Sequence, residues 1–150
     1  MRWNYQRFDE INGIDLYEML KLRVDVFIVE QNCSYSELDN YDLDSIHISC
    51  RDESGLIAYA RLLPAGVKYD EPSIGRVIIR ADKRGTGLAH KLMENCKRYM
   101  MGNWTPDKIR LQAQSHLEKF YNAHGFETIS EPYVDDHIPH VDMILTIKSQ

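Results

Sequence analysis

Cysteine is scarce in this sequence: Cys33, Cys50 and Cys96 are three, an odd number, and widely spaced. That excludes a disulfide framework, and no Cys-x-x-Cys pair is present to hold zinc. Buried thiols are the reading that remains. Long apolar runs are missing too, since none approaches the roughly 20 residues needed to cross a bilayer. The opening residues, Met1-Arg2-Trp3-Asn4-Tyr5-Gln6-Arg7, lack the apolar stretch of a signal peptide. A cytoplasmic protein without a membrane partner is the resulting expectation. Basic excess is also lacking. A formal net charge of −5 argues against a sequence-independent nucleic-acid binder, which needs a basic surface. It leaves room for a cationic partner. Repeats, low-complexity tracts and linkers are absent, so residues 1–150 read as one domain with its core over about 6–148.

What is present is a regular succession of strand and helix patterns. Trp3 and Tyr5 alternate with polar residues as in a short half-buried strand. Asp15 is placed to cap a helix reaching about Val29, with Leu16, Met19, Leu20 and Val26 or Phe27 at helical spacing. A polar, acidic loop follows, from about Gln31 to Asp44. Ile46–Cys50 and Leu56–Leu63 read as the arms of a hairpin around Asp52-Glu53-Ser54-Gly55, and Ile74–Ile79 as a third strand of an antiparallel meander. Leu88, Leu92, Cys96 and Tyr99 or Met100 share one face of an amphipathic helix that Gly102 and Asn103 stop. Ile109, Leu111 and Ala113 alternate as a further strand. Ser115-His116-Leu117-Glu118 has capping-box spacing, so a helix should begin there and end at Gly125. Phe126 opens another strand, and a loop from Glu131 to Pro139 leads to a last one, Val141–Ile147. The order β-α-β-β-β-α-β-α-β-β describes an α+β, or mixed α/β, domain.

Arg84-Gly85-Thr86-Gly87-Leu88-Ala89 joins a strand to the amphipathic helix. The first turn of a helix carries unpaired N–H groups and the positive end of the macrodipole. Glycines let that backbone approach an anion closely, so a phosphate is the expected guest. Lys83 and Arg84 add positive charge. Two other phosphate motifs do not match. The P-loop ends Gly-Lys-Ser/Thr, whereas Gly87 is followed by Leu88-Ala89, and the dinucleotide fingerprint needs three glycines in a parallel βαβ unit.

The segment from Val77 to Ala89 resembles the acetyl-CoA signature of the GCN5-related N-acetyltransferase (GNAT) superfamily, with Arg84, Gly87 and Ala89 meeting its Arg/Gln-x-x-Gly-x-Gly/Ala pattern. Phe120-Tyr121-Asn122-Ala123-His124-Gly125-Phe126 is similar to the superfamily's Tyr-x-x-x-Gly-Phe block. Leu22 to Gln31, Asp39-x-x-Asp42 with His47, and Ile138-Pro139-His140-x-x-Met143 look like the ElaA-like branch. The resemblance covers nearly the whole chain. It implies the acyl-CoA N-acyltransferase fold: a mixed central sheet of about six to seven strands, splayed at the cofactor site and flanked by helices. It implies acetyl-CoA as cosubstrate and transfer of its acetyl group to an amine. Val77 and Ile79 backbone groups would bond the pantetheine arm, and the N–H groups of Arg84, Gly85, Thr86, Gly87, Leu88 and Ala89 would take the pyrophosphate. Tyr121 would be the general acid to the departing thiolate. Gln114 stands where many members have an asparagine that contacts the cofactor.

The chemistry suits those residues. A tyrosine hydroxyl is acidic enough to protonate a thiolate yet neutral at working pH. For the base, His140, His116, Glu118 and the Glu30–Gln31 pair all remain open. Asp135, Asp136, His137 and His140 are metal-capable, but a His-x-x-His in a proline-bearing loop lacks the helical spacing of zinc proteases, and no metal is expected. The acidic loop with Glu37, Asp39, Asp42 and Asp44 is not an EF-hand. It is either a solvated face or a patch that draws an amine. The acceptor amine is open among small molecules, peptides and proteins, and a homodimer is compatible with so small a domain. A non-catalytic acyl-CoA sensor is the rival reading, and Tyr121 separates the two, because a pure binder needs no general acid.

Overall fold

The computed structural model describes residues 1–147, so position 148 of the expected core lies outside the described residues. β2 (Ile46–Asp52), β3 (Gly55–Leu63) and β4 (Ser73–Ile79) form the expected antiparallel meander, and β1 (Arg2–Arg7) adds to it antiparallel to β2. β5 (Lys108–Gln114) joins β4 in parallel, and β8 (Ile138–Thr146) lies antiparallel to β5. The short strands β6 (Glu127–Thr128) and β7 (Tyr133–Asp135) share the other edge of β8, giving an eight-stranded mixed sheet. Three helices cover it: α1 (Gly13–Val24), α2 (Leu88–Asn103) and α3 (Glu118–Asn122).

β3 lies in the middle of the sheet and is buried on both faces, which is why it is an almost unbroken apolar run. Its Ala58, Ala60 and Leu62 meet Leu92, Cys96 and Met100 of α2. On the opposite face Tyr59 and Leu56 join Ile78 and Met19 of α1. All three cysteines are buried and unpaired, as their spacing suggested. Among the described residues no helix is long and apolar enough to cross a membrane.

Several local signals resolve differently from the expectation. Asn12 rather than Asp15 caps α1, its Oδ1 accepting the Asp15 N–H at 2.8 Å. Both residues are cap-competent, and only Asn12 takes the extended backbone that a cap requires. After Val24 the helix widens into a π turn over Asp25–Glu30. The end of α2 falls at Asn103, as expected, with the Trp104 N–H closing on the Met100 carbonyl. The capping box at Ser115 does not form. Ser115–Leu117 is a 3-10 turn, the Ser115 hydroxyl is buried without a partner, and Glu118 accepts from Thr128 instead. The loop expected over Glu131–Pro139 is a hairpin of β7 and β8. Asp136 and His137 turn it with φ of 49° and 67°, left-handed values usually supplied by Asn-Gly.

Two features of β4 position the site. It shares one register pair with β5, Ser73 opposite Arg110, beyond which the strands part and leave the expected splay. Against β3, Tyr59 faces Ile78 and Arg61 faces Gly75, so Arg76 and Val77 together oppose Ala60 alone. This is a β-bulge. Arg76 holds φ of 52° within it.

Candidate active site

A cavity of about 440 Å³ opens where β4 and β5 diverge. Val77, Ile79, Arg84, Ala89, Gln114 and Tyr121 line it. Gly85, Thr86 and Gly87 do not line it; they make the turn between its lining residues Arg84 and Ala89, and so border it as a rim. The Leu88 side chain packs into the core, so this residue can offer only its N–H.

The turn presents six open amides, a run shifted by one residue from the expected Arg84 to Ala89. The Arg84 N–H is taken by the Ala81 carbonyl at 3.4 Å. From Gly85 to His90 the N–H groups have no hydrogen-bond partner among the described residues, and the ladder of α2 begins with Lys91 donating to Gly87. Gly85 and Gly87 take φ of 77° and 84°, and a Cβ on either would meet nothing within 4 Å. The space above the turn is therefore clear for a ligand. The Thr86 hydroxyl pins the turn through the Lys83 carbonyl at 2.7 Å. The two cations beside it are not free: Lys83 lies 3.3 Å from Asp52, and the Arg84 guanidinium 3.0 Å from Glu30. Exposed pairs of this kind are weak, so an incoming phosphate can compete for both.

Behind the rim, the Arg80 N–H donates to the Ile57 carbonyl at 2.9 Å. This makes Ala58 and Ile79 a non-hydrogen-bonded pair, and the N–H and C=O of Ile79 turn away from β3 toward the cleft. The Ile79 carbonyl is already held by Arg84 Nε at 3.0 Å, which leaves its N–H for a ligand.

Tyr121 stands on α3, 7 % exposed, with its ring edge-on to Phe120 and Phe126. Its hydroxyl has no hydrogen-bond partner among the described residues. Burial pushes its pKa above the usual phenol range, aided by the nearby Cys96. Gln114 reaches across the cavity, its Nε2 donating to Gln31 Oε1 at 3.3 Å.

The base candidates separate. Glu118 does not line the cavity. Glu30 is paired with Arg84 and Gln31 with Gln114. His116 lines the cavity but is exposed. His140 also lines it, and its Nδ1–H donates to the Ile138 carbonyl at 2.7 Å. That bond fixes the tautomer and leaves Nε2 as an acceptor.

The acidic loop is neither a solvated face nor a free patch. Glu37 and Asp42 are buried, and only Asp44 of the four is exposed. Arg23 Nε lies 2.7 Å from Glu37 and its Nη1 2.7 Å from Asp42. Arg61 holds Asp39 at 2.6 Å and Asp42 at 3.1 Å, while Arg76 Nε meets Glu37 at 2.7 Å. Against a burial that would raise it, the Arg61 guanidinium holds Asp39 down at about 2. Arg23 and Arg61 likewise hold Asp42 below the usual range. Below the network the His47 Nε2–H donates to the Asp42 carbonyl at 2.9 Å, and its Nδ1 accepts from the Tyr59 hydroxyl. Burial lowers the pKa of His47 below the usual imidazole range. The signal for this network in the sequence is three arginines, Arg23, Arg61 and Arg76, set among apolar residues of α1, β3 and β4.

Among the described residues no group of three or more His, Cys, Asp or Glu could hold a metal ion.

The comparisons with known proteins agree with this geometry. A family model described as an acetyltransferase (GNAT) domain matches residues 24–147. A UPF0039 protein of Synechocystis is 38% identical over 148 residues, covering 98% of this chain and 96% of that one. Protein ElaA of Escherichia coli is 38% identical over 149 residues, covering 95% of each. Among solved structures, an acyl-CoA N-acyltransferase from Pseudomonas aeruginosa is 35% identical with a TM-score of 0.92, over 97% of this chain and 100% of that one. The crystal structure of Escherichia coli ElaA is 36% identical with a TM-score of 0.90, over 96% of this chain and 98% of that one. With the fold, the splayed strands and the glycine turn in place, the chain belongs to the GNAT family of acetyltransferases, in the branch that includes ElaA.

Proposed function

We propose that the protein moves an acetyl group from acetyl-CoA to an amine by direct attack within a ternary complex, with Tyr121 as general acid. The observation that carries this reading is one cavity lined by Tyr121 and by Arg84 and Ala89, two residues of the turn whose amides from Gly85 to His90 are unpaired among the described residues. The pyrophosphate would lie on those amides at the start of α2, where dipole and donors act together. The pantetheine arm would run along β4 and take the Ile79 N–H. That course brings the thioester to the bulge at Arg76 and Val77.

The amine nitrogen attacks the thioester carbonyl carbon, and its surplus proton passes to His140 Nε2, directly or through water. An N–H of the bulged strand stabilises the oxyanion as it develops. The C–S bond then breaks and the CoA thiolate takes the Tyr121 proton. Burial that holds the phenol neutral also raises the pKa of a thiolate beside it, so the transfer stays near balance. Holding donor and acceptor together supplies up to about 7–11 kcal/mol of the barrier reduction.

A thiol-release screen of acetyl-CoA against small amines and amine-bearing peptides tests the reaction. The expected result is release that depends on the amine. Gly87→Asp tests the seat, since it adds bulk and negative charge where the pyrophosphate would rest. It should weaken CoA binding about tenfold or more, by 1.4 kcal/mol upward. Unchanged CoA affinity in that variant would remove the turn from the site.

A further inference from the structure

Arg76 is the residue of β4 whose backbone conformation is least expected. A left-handed φ in a non-glycine residue costs about 1–2 kcal/mol, and such strain persists where the surroundings over-determine it. The surroundings here are specific. Arg76 Nε donates to Glu37 Oε2 at 2.7 Å, and Nη2 donates to the Glu37 carbonyl at 3.2 Å and to Asp39 at 3.4 Å. Its guanidinium lies 5.8 Å from the ring centre of Phe27 and 5.7 Å from that of Tyr35. Glu37 is itself fixed, by Arg23 of α1 and by the Tyr35 hydroxyl at 2.7 Å. The bulge is thus tied through one side chain to helix α1 and to the loop that walls the cavity.

We propose that Arg76 is a positioning residue: its clamp on Glu37 holds the β4 bulge, and the bulge aims the strand amide that meets the oxyanion. Arg76 makes this contribution without touching the reacting atoms. The inference rests on the proposed acetyl transfer for its catalytic meaning, though the bulge itself is observable without turnover. Arg76 is then the link through which a change in the loop of Glu37 and Asp39 reaches the chemistry.

Three substitutions separate this role from its competitors. Arg76→Gly removes the clamp but accepts positive φ freely; Arg76→Ala removes it and disfavours that φ; Arg76→Val disfavours it most, being β-branched. The order of kcat should be wild type, Gly, Ala, Val. The Val variant should lose about 100-fold, the loss typical of one misplaced oxyanion donor. KM for acetyl-CoA should move by less than about threefold, since binding common to ground and transition states is untouched. In an amide spectrum the Val77 resonance should stay near its wild-type position in the Gly variant and shift in the other two. If Val fails to fold, the Gly and Ala pair decides.

Equal losses for Gly and Ala would mean that Arg76 serves only as an ion pair, which overturns the proposal. A raised KM for the amine at constant kcat would make it an acceptor contact, which also overturns it. Absence of turnover in the wild type, with the Val77 shifts following the expected order, would defeat the acetyl-transfer reading and leave the clamp standing.

Discussion

Replacing Tyr121 by phenylalanine lowers turnover by about 10²–10³-fold, within the range that a positioned general acid supplies, and leaves CoA affinity nearly unchanged. The reason is local. The ring of Tyr121 is held by Phe120 and Phe126, and its hydroxyl has no hydrogen-bond partner among the described residues. Removing that oxygen leaves the packing intact and strands no buried partner, so the fold should be unaffected. The loss then appears in kcat, because the proton is needed only as the C–S bond breaks. Burial holds the phenol neutral beyond its usual range, so kcat should show no alkaline fall from this group until well above pH 10. Turnover in Tyr121→Phe equal to the wild type would remove Tyr121 from the acid role and return weight to a non-catalytic acyl-CoA binder.

Asp42→Ala carries the largest expected effect on stability. Asp42 is buried and shared by Arg23 and Arg61, with both guanidiniums in the same pocket. Removing it brings two buried cations together with less compensating charge, and breaking a buried pair costs about 3–5 kcal/mol. Thermal unfolding should fall by about 10 °C, at 2–4 °C per kcal/mol for a chain of this length. The same network predicts a pH dependence. Asp39 and Asp42 are both held below their ordinary values in the folded protein. Their contribution is therefore complete above the unfolded aspartate pKa of about 3.9, and it is lost as pH falls toward about 2, the folded value of Asp39. Urea midpoints measured from pH 5 to pH 2 should fall steeply in the wild type and less steeply in Asp42→Ala. An unchanged midpoint in that variant at neutral pH would mean that the network is energetically silent.

Much of the fold was legible because its strongest elements depend on local pattern. The meander of β2, β3 and β4 and the helix α2 follow from alternation, helical spacing and turn residues that neighbours in sequence decide. The turn that the proposed function gives to CoA was legible for the same reason, since a strand, a glycine turn and a helix start are adjacent along the chain. What was hidden depends on contacts between distant residues. Asp15 was read as the cap of α1, and only the path of the chain into the helix shows that Asn12 takes that place. The turn at Asp136 and His137 takes a conformation that tertiary packing imposes on residues without the usual glycine. The loop from Glu37 to Asp44 read as either a solvated face or a patch that draws an amine because its charges look unpaired in sequence; their partners, Arg23, Arg61 and Arg76, come from three other elements. The bulge at Arg76 was invisible for a related reason. No residue there asks for positive φ, and the clamp from Glu37 that holds it bridges 39 positions of sequence.

Amide chemical-shift mapping on the nitrogen-15-labelled protein shows whether the turn after β4 seats CoA. On adding CoA, the largest shifts should fall on Gly85, Thr86, Gly87, Leu88, Ala89 and His90, with a second group at Val77 and Ile79 along the splayed strand. Binding that leaves those amides unmoved while shifting others, or no binding at all, would contradict the account.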